Sequence, residues 1–193
     1  MGFFLLAGAG SMPAPAPTAP LVLAAPGKTV HSSANYSLTL TAYNAVPGQT
    51  DDTPFVTASG AYTNPEVVAA RSQDLRAELP FGTIIAIDGP VKGTKASGTC
   101  GYKAVGDTIG YRVIADTMNA RYTDRIDVVF GEDEQYIVSG GRTMNAATIL
   151  GVCPGVQVRV VGFVDISKPK NLPKTQAALV ALVEGTQTLA INK

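Results

Sequence analysis

Apolar and polar side chains alternate one for one from Tyr36 to Tyr43, with Tyr36, Leu38, Leu40 and Ala42 on one face and Ser37, Thr39, Thr41 and Tyr43 on the other. A period of two, rich in Thr and Tyr, predicts a half-buried strand. Glu66–Ala70, Thr83–Asp88, Gly110–Asp116, Arg125–Phe130 and Val156–Val164 are further short β-branched runs and predict more strands. Turn chemistry separates them: Pro47-Gly48, the Asp51-Asp52-Thr53-Pro54 run, the Leu79-Pro80-Phe81-Gly82 bend and the Gly- and Lys-rich stretch from Asp88 to Gly98. Beyond Pro169 and Pro173 the pattern changes, and Lys174–Glu184 (KTQAALVALVE) predicts a short helix. Its apolar residues fall on most faces, so it must pack on something, and we expect it across one barrel end. About six to eight short strands with long Gly-rich connections predict an all-β fold, a compact barrel or sandwich.

The chain ahead of Tyr36 reads differently. Gly2 to Met12 is apolar and of signal-peptide length but lacks a basic start, and the Pro/Ala alternation that follows predicts an extended spacer. Either the true start lies upstream or the segment is an atypical export signal. Export to the cell envelope or beyond is therefore the expectation, with the membrane touched only through an N-terminal anchor. The organisation expected is an apolar N-terminus and linker over 1–35, a barrel domain over 36–166 and a C-terminal extension over 167–193.

Charge narrows the partners. Fifteen basic and fifteen acidic residues cancel among 193, so no overall field favours nucleic acid or an anionic membrane. No phosphate-binding glycine loop and no serine-hydrolase elbow occurs, which removes support for a nucleotide or an acyl-transfer site. His31 is the only histidine and neither Cys100 nor Cys153 has a nearby partner in sequence, so a zinc site is not expected. The acidic residues lack calcium-loop spacing, and no cofactor is expected. The two cysteines are either one disulfide closing a long loop or two buried thiols.

Three segments carry a resemblance when taken in order. The first is Thr41-Ala42-Tyr43, followed by Gln49-Thr50-Asp51-Asp52-Thr53-Pro54 and Thr57-Ala58-Ser59-Gly60. The second is Leu79-Pro80-Phe81-Gly82-Thr83. The third is Ala115-Asp116-Thr117-Met118-Asn119-Ala120-Arg121-Tyr122, then Arg125-Ile126-Asp127-Val128. Together they resemble the three-aspartate (3D) domain family, related to the barrel of MltA-type lytic transglycosylases and to secreted stationary-phase survival proteins. The resemblance covers about Tyr36 to Phe130, with the strand around Val160 as closure. It implies a six-stranded double-psi β-barrel with its aspartates along an open groove. It also implies cleavage of the MurNAc–GlcNAc bond of peptidoglycan without water, leaving a 1,6-anhydro sugar. Asp116 and Asp127 match two of the family's aspartates. The third stands before the Leu-Pro-Phe-Gly-Thr bend, where the nearest acid here, Asp74, is shifted in register. Met118-Asn119 also stands where the transglycosylase branch has a small Gly pair.

The chemistry asked of the acids is specific. A lytic cut needs a proton for the glycosidic oxygen and a base for the sugar's C6 hydroxyl, and one carboxyl can serve as both in turn. An ordinary aspartate is ionised at neutral pH, so burial or a second carboxylate must raise its pKa. Asp116 ends an apolar strand and is expected as the acid/base. Asp127, between Ile126 and Val128, is expected to tune it or to stabilise positive charge, or else to be an inward-facing acid held by Arg121 or Arg125. Asp52, Asp74, Tyr43, Asn119, Arg121 and Tyr122 are the candidate substrate-binding residues, the tyrosines by stacking on sugar and the others by hydrogen bonds. Each has a plainer alternative: Asx turns for the loop acids, a solvated charge for Asp74, core packing for the tyrosines. A non-catalytic glycan-binding or wall-loosening module of the expansin kind, whose barrel is related, is the rival to the enzyme reading.

Overall fold

Six strands close into a barrel in the order β1-β5-β2-β4-β3-β8. They are β1 (Asn35–Asn44), β2 (Val68–Arg71), β3 (Thr83–Pro90), β4 (Tyr111–Thr117), β5 (Arg125–Phe130) and β8 (Cys153–Phe163), with a separate hairpin of β6 (Gln135–Ile137) and β7 (Thr143–Asn145). The computed structural model describes residues 34–46, 53–91, 100–138 and 140–191, with side chains described to residue 185. The N-terminal segment and linker expected over 1–35 therefore lie, apart from residues 34 and 35, outside the described residues. Each predicted strand is present, with boundaries shifted by three residues at most.

The barrel mixes parallel and antiparallel pairs. β5 lies between β1 and β2, parallel to the first and antiparallel to the second. β4 lies between β2 and β3 in the same manner. β8 pairs antiparallel with both β3 and β1 and completes the closure, as expected for the strand around Val160.

Alternation sorts the side chains into two apolar layers. Leu38, Leu40, Ala69, Ile85, Ile87, Ile114, Ile126, Val128, Phe130, Val156 and Val158 draw on all six strands and form the interior. The intervening residues Val68, Ile84, Val113, Ala115 and Val129 point the other way. They are covered by Ala61 from the 55–63 segment and by Leu179 and Val183 of the C-terminal helix α3 (Gln176–Ile191). The helix thus packs on the outer wall, against β4 and β8, and not across a barrel end as its sequence suggested. Two short helices, α1 (Tyr102–Val105) and α2 (Ala146–Leu150), abut each other at the end of the interior core. Cys100, just ahead of α1, is disulfide-bonded to Cys153 at the start of β8, so the sequence alternative of two free thiols does not hold. Among the described residues no helix is long and apolar enough to cross a membrane.

Candidate functional site

Ala70 is the hub of the candidate site. On β2 it is in register with Asp127 of β5 on one side and Asp116 of β4 on the other. Asp127 is in turn in register with Thr41 of β1. Thr41, Asp127, Ala70 and Asp116 therefore form one row over four adjacent strands. With strands about 4.8 Å apart, the two aspartate Cα atoms are separated by about 10 Å. Only the methyl group of Ala70, 3% exposed, stands between them.

A β-bulge brings the second acid into this row. Ala69 pairs with Ile114, but the next residue, Ala70, pairs with Asp116, so β4 carries an extra residue at Ala115. Strict alternation from inward-facing Ile114 would turn Asp116 into the barrel interior. The extra residue re-aims it to the outer face, a use of bulges common beside functional sites. Asp127 reaches the same face by simple alternation, since Ile126 and Val128 point inward. The expectation of an inward-facing Asp127 is corrected: its neighbours on the strand take the core and leave it outside.

The two carboxyl groups are held differently. Asp116 Oδ1 accepts the backbone N–H of Ala58 and of Thr117, both at 2.8 Å, and Oδ2 accepts the Tyr43 hydroxyl at 3.2 Å. Asp127 Oδ1 accepts the Thr41 hydroxyl at 2.9 Å. Burial pushes the Asp127 carboxyl up to about 6, and the Asp116 charge adds to this, while the Thr41 hydroxyl and the Arg125 charge act against it. Tyr43 reaches from β1 past β5 and β2, and burial together with the charges of Asp116 and Asp127 drives its phenol far above the ordinary range. It is thus a permanent proton donor to Asp116. Asp116, Asp127 and Tyr43, all singled out from sequence, are one cluster.

Beside this cluster, Arg121 and Arg125 each place a guanidinium against the Tyr122 ring, at 4.8 and 4.7 Å from its centre. Arg121 also donates to the Tyr122 hydroxyl at 2.8 Å. The charge of Arg125 is felt at Asp127, so this stack borders the row. The other candidates do not join it. Asn119 accepts the Arg121 backbone N–H, an Asx turn. Asp74 is exposed and accepts the backbone N–H of Asp124, and Ser72 and Asp124 hold its carboxyl below the usual range. A carboxylate spent on fixing Asp124, which sits at φ 50°, is a structural tie. Asp52 lies outside the described residues.

Sequence reasoning left Thr41, Ala58 and Ala70 without a role, although Thr41 and Ala58 stood inside the segments quoted for the resemblance. The signal lacking was register, which decides that a threonine and a backbone amide meet these acids. The row is only partly exposed. Two clefts, one of about 70 Å³ beside Tyr36 and Phe163 and one of about 400 Å³ between Ala58-Ser59, Phe81 and Asp165–Ser167, are lined by neither aspartate. The larger one touches the site only through Ala58. Among the described residues no group of His, Cys, Asp and Glu is placed to hold a metal ion.

No protein-family model and no curated protein matches the chain. Among solved structures it is similar to a mutant expansin of Clavibacter michiganensis in complex with cellohexaose, at 15% identity and a TM-score of 0.33. The match covers 67% of this chain and 51% of that one, so the chain spans about half of that protein.

Proposed function

We propose that this protein is an exported cell-wall protein of the three-aspartate type that binds a polysaccharide strand along the Thr41–Asp127–Ala70–Asp116 row. The observation that carries the reading is the convergence of two carboxyl groups on one outer face, registered to a single alanine, with no basic residue in ion-pair contact with either among the described residues. Partly exposed carboxylates accept hydrogen bonds from sugar hydroxyls, and the Arg121 and Arg125 guanidinium groups beside them offer donors. The Cys100–Cys153 disulfide fits an oxidising compartment and so supports export. The wall-loosening, expansin-like activity rests on this binding alone. The test is co-sedimentation with insoluble peptidoglycan and with cellulose, for the wild type and for an Asp116→Asn/Asp127→Asn double variant. Retention of the wild type with loss in the variant is expected; equal retention of both removes the row from the binding site.

One observation favours a second reading, lytic cleavage of peptidoglycan. Asp127, raised to about 6, keeps a proton on a fraction of molecules near neutral pH, as an acid catalyst needs. In this reading the roles expected of the two acids are exchanged. Asp127 gives its proton to the glycosidic oxygen, and the C1–O bond breaks. Asp116, held by three donors, supports the positive charge that develops at C1. The sugar's C6 hydroxyl then bonds to C1 and its proton returns to Asp127, giving the 1,6-anhydro product. Muropeptide release from purified sacculi decides it: anhydro product from the wild type and none from Asp127→Asn is expected. Binding without product leaves the wall-loosening reading.

A further inference from the structure

The segment that delivers Ala58 to Asp116 carries a second feature on its solvent side. Residues 55–63 fold back on themselves, with a Val56–Tyr62 bridge and with the backbone N–H of Thr63 donating to Phe55 O at 3.0 Å and that of Thr57 to Ala61 O at 2.9 Å. Ala61, Thr57 and Thr63 face down and are buried against the outer layer of the barrel. Phe55 and Tyr62 face out, 54% and 63% exposed, with ring centres 6.5 Å apart and planes within 11° of parallel. Val56, 54% exposed, lies beside them.

We infer that Phe55 and Tyr62 form a stacking platform for pyranose rings of the same glycan strand, extending the binding site beyond the two aspartates. The inference rests on the reading of the row as a polysaccharide site. Three observations point to sugar as the occupant. First, the platform is tied to the row: Ala58 N–H holds Asp116 at 2.8 Å and Ser59 N–H holds Ala115 O at 3.1 Å. Phe55 is three residues away, at most about 10 Å of extended chain. A strand leaving the row therefore meets the platform within a few sugar units. Second, the patch is small. Half-exposed aromatic side chains offer on the order of 100 Å² each, far below the roughly 800 Å² per partner of a stable protein interface. One or two sugar rings fit that area. Third, two near-parallel aromatic faces with a hydroxyl at one edge match the flat C–H face and polar rim of a pyranose. The hydrophobic effect would otherwise favour hiding these rings, and the fold leaves them in water.

The test compares Phe55→Ala/Tyr62→Ala and Phe55→Leu/Tyr62→Leu with the wild type, by co-sedimentation on purified sacculi and by calorimetry with cellohexaose. Both side chains are more than half exposed, so the melting temperature is expected to stay within a few degrees. Both variants are expected to bind at least tenfold more weakly, the leucine pair included, because apolar area without a flat face does not stack. Wild-type affinity in either variant overturns the platform. If these variants bind normally while Asp116→Asn/Asp127→Asn does not, the platform falls and the row stands. If the wild type binds neither probe, both fall. Loss of wild-type self-association in the variants, by sedimentation velocity, would make a second copy the occupant and would likewise overturn the inference.

Discussion

The Thr41 hydroxyl donates to Asp127 Oδ1 at 2.9 Å from the adjacent strand at the same register. The bond stabilises the charged carboxylate and so works against the burial that raises its pKa. Thr41→Val keeps the β-branched shape and removes only the donor. The Asp127 pKa is then expected to rise above about 6, read by carboxyl carbon chemical shifts during an NMR titration. An unchanged value would mean that the hydroxyl does not bond to the carboxylate.

The same carboxyl gives a pH dependence of stability with a definite sign. Its ordinary value of 3.8 is raised to about 6 by folding, so the native state holds the proton more tightly than the unfolded chain does. The stabilisation is complete below 3.8 and is lost as pH rises through 6. At about 1.4 kcal/mol per pKa unit it amounts to about 2–3 kcal/mol. Asp74 has the opposite sign, since its depressed pKa gives stability that disappears on acidification. The comparison must therefore be made against Asp127→Asn and not on the wild type alone. Urea unfolding at a series of pH values from about 4 to 7 should show the variant gaining on the wild type as pH rises. Parallel curves would show that Asp127 is well hydrated.

The strands and the barrel were legible because each interior residue stands in a short alternating run, as Leu38 does, or a short β-branched run, as Ile85 does, and both survive in the sequence. Asp127 and Asp116 were legible as candidates from their neighbours in the chain. Their common face was not. It depends on the extra residue at Ala115, and nothing in Val-Ile-Ala-Asp distinguishes a bulged strand from a regular one. Thr41 and Ala70 are equally ordinary in sequence and acquire meaning only from register across strands, which is a property of distant pairs. Asp74 illustrates the converse: it stands close in sequence to the place where the resemblance implies a third aspartate, and the fold uses it to fix Asp124.

The Cys100–Cys153 bond joins residues 53 apart. Closing a loop of that length in the unfolded chain is worth about 4 kcal/mol in the chain-entropy account. It also fastens the α1 side of the molecule to the start of β8, which closes the barrel. Cys100→Ser/Cys153→Ser, or reduction, is expected to lower the stability measured by denaturant unfolding by about 2–4 kcal/mol. A variant as stable as the wild type would show that the packing of α1 and α2 against the core already constrains this loop.

Gly82 explains why the Leu-Pro-Phe-Gly-Thr bend is written as it is. Its φ is 93°, a conformation open chiefly to glycine, and a Cβ there would lie 2.1 Å from the Val164 carbonyl oxygen. The residue donates its N–H to Ile114 O at 2.8 Å and accepts the Val164 N–H at 2.8 Å, so one glycine ties the entry of β3 to β4 and to the exit of β8. Arg71 supports the bend from within: its Nε donates to Leu79 O at 2.7 Å and its guanidinium lies 5.2 Å from the Phe81 ring centre. Gly82→Ala meets a backbone oxygen and a disfavoured φ together, and neither can relax without parting two strands. A loss of on the order of 3 kcal/mol or more follows, seen as a melting temperature lower by on the order of 10 °C. The bend touches neither aspartate, so the glycan binding proposed above should be retained by the folded protein at low temperature. Unchanged melting would mean that the three strands hold together without this tie, and lost binding in a folded Gly82→Ala protein would move the bend from the scaffold into the site.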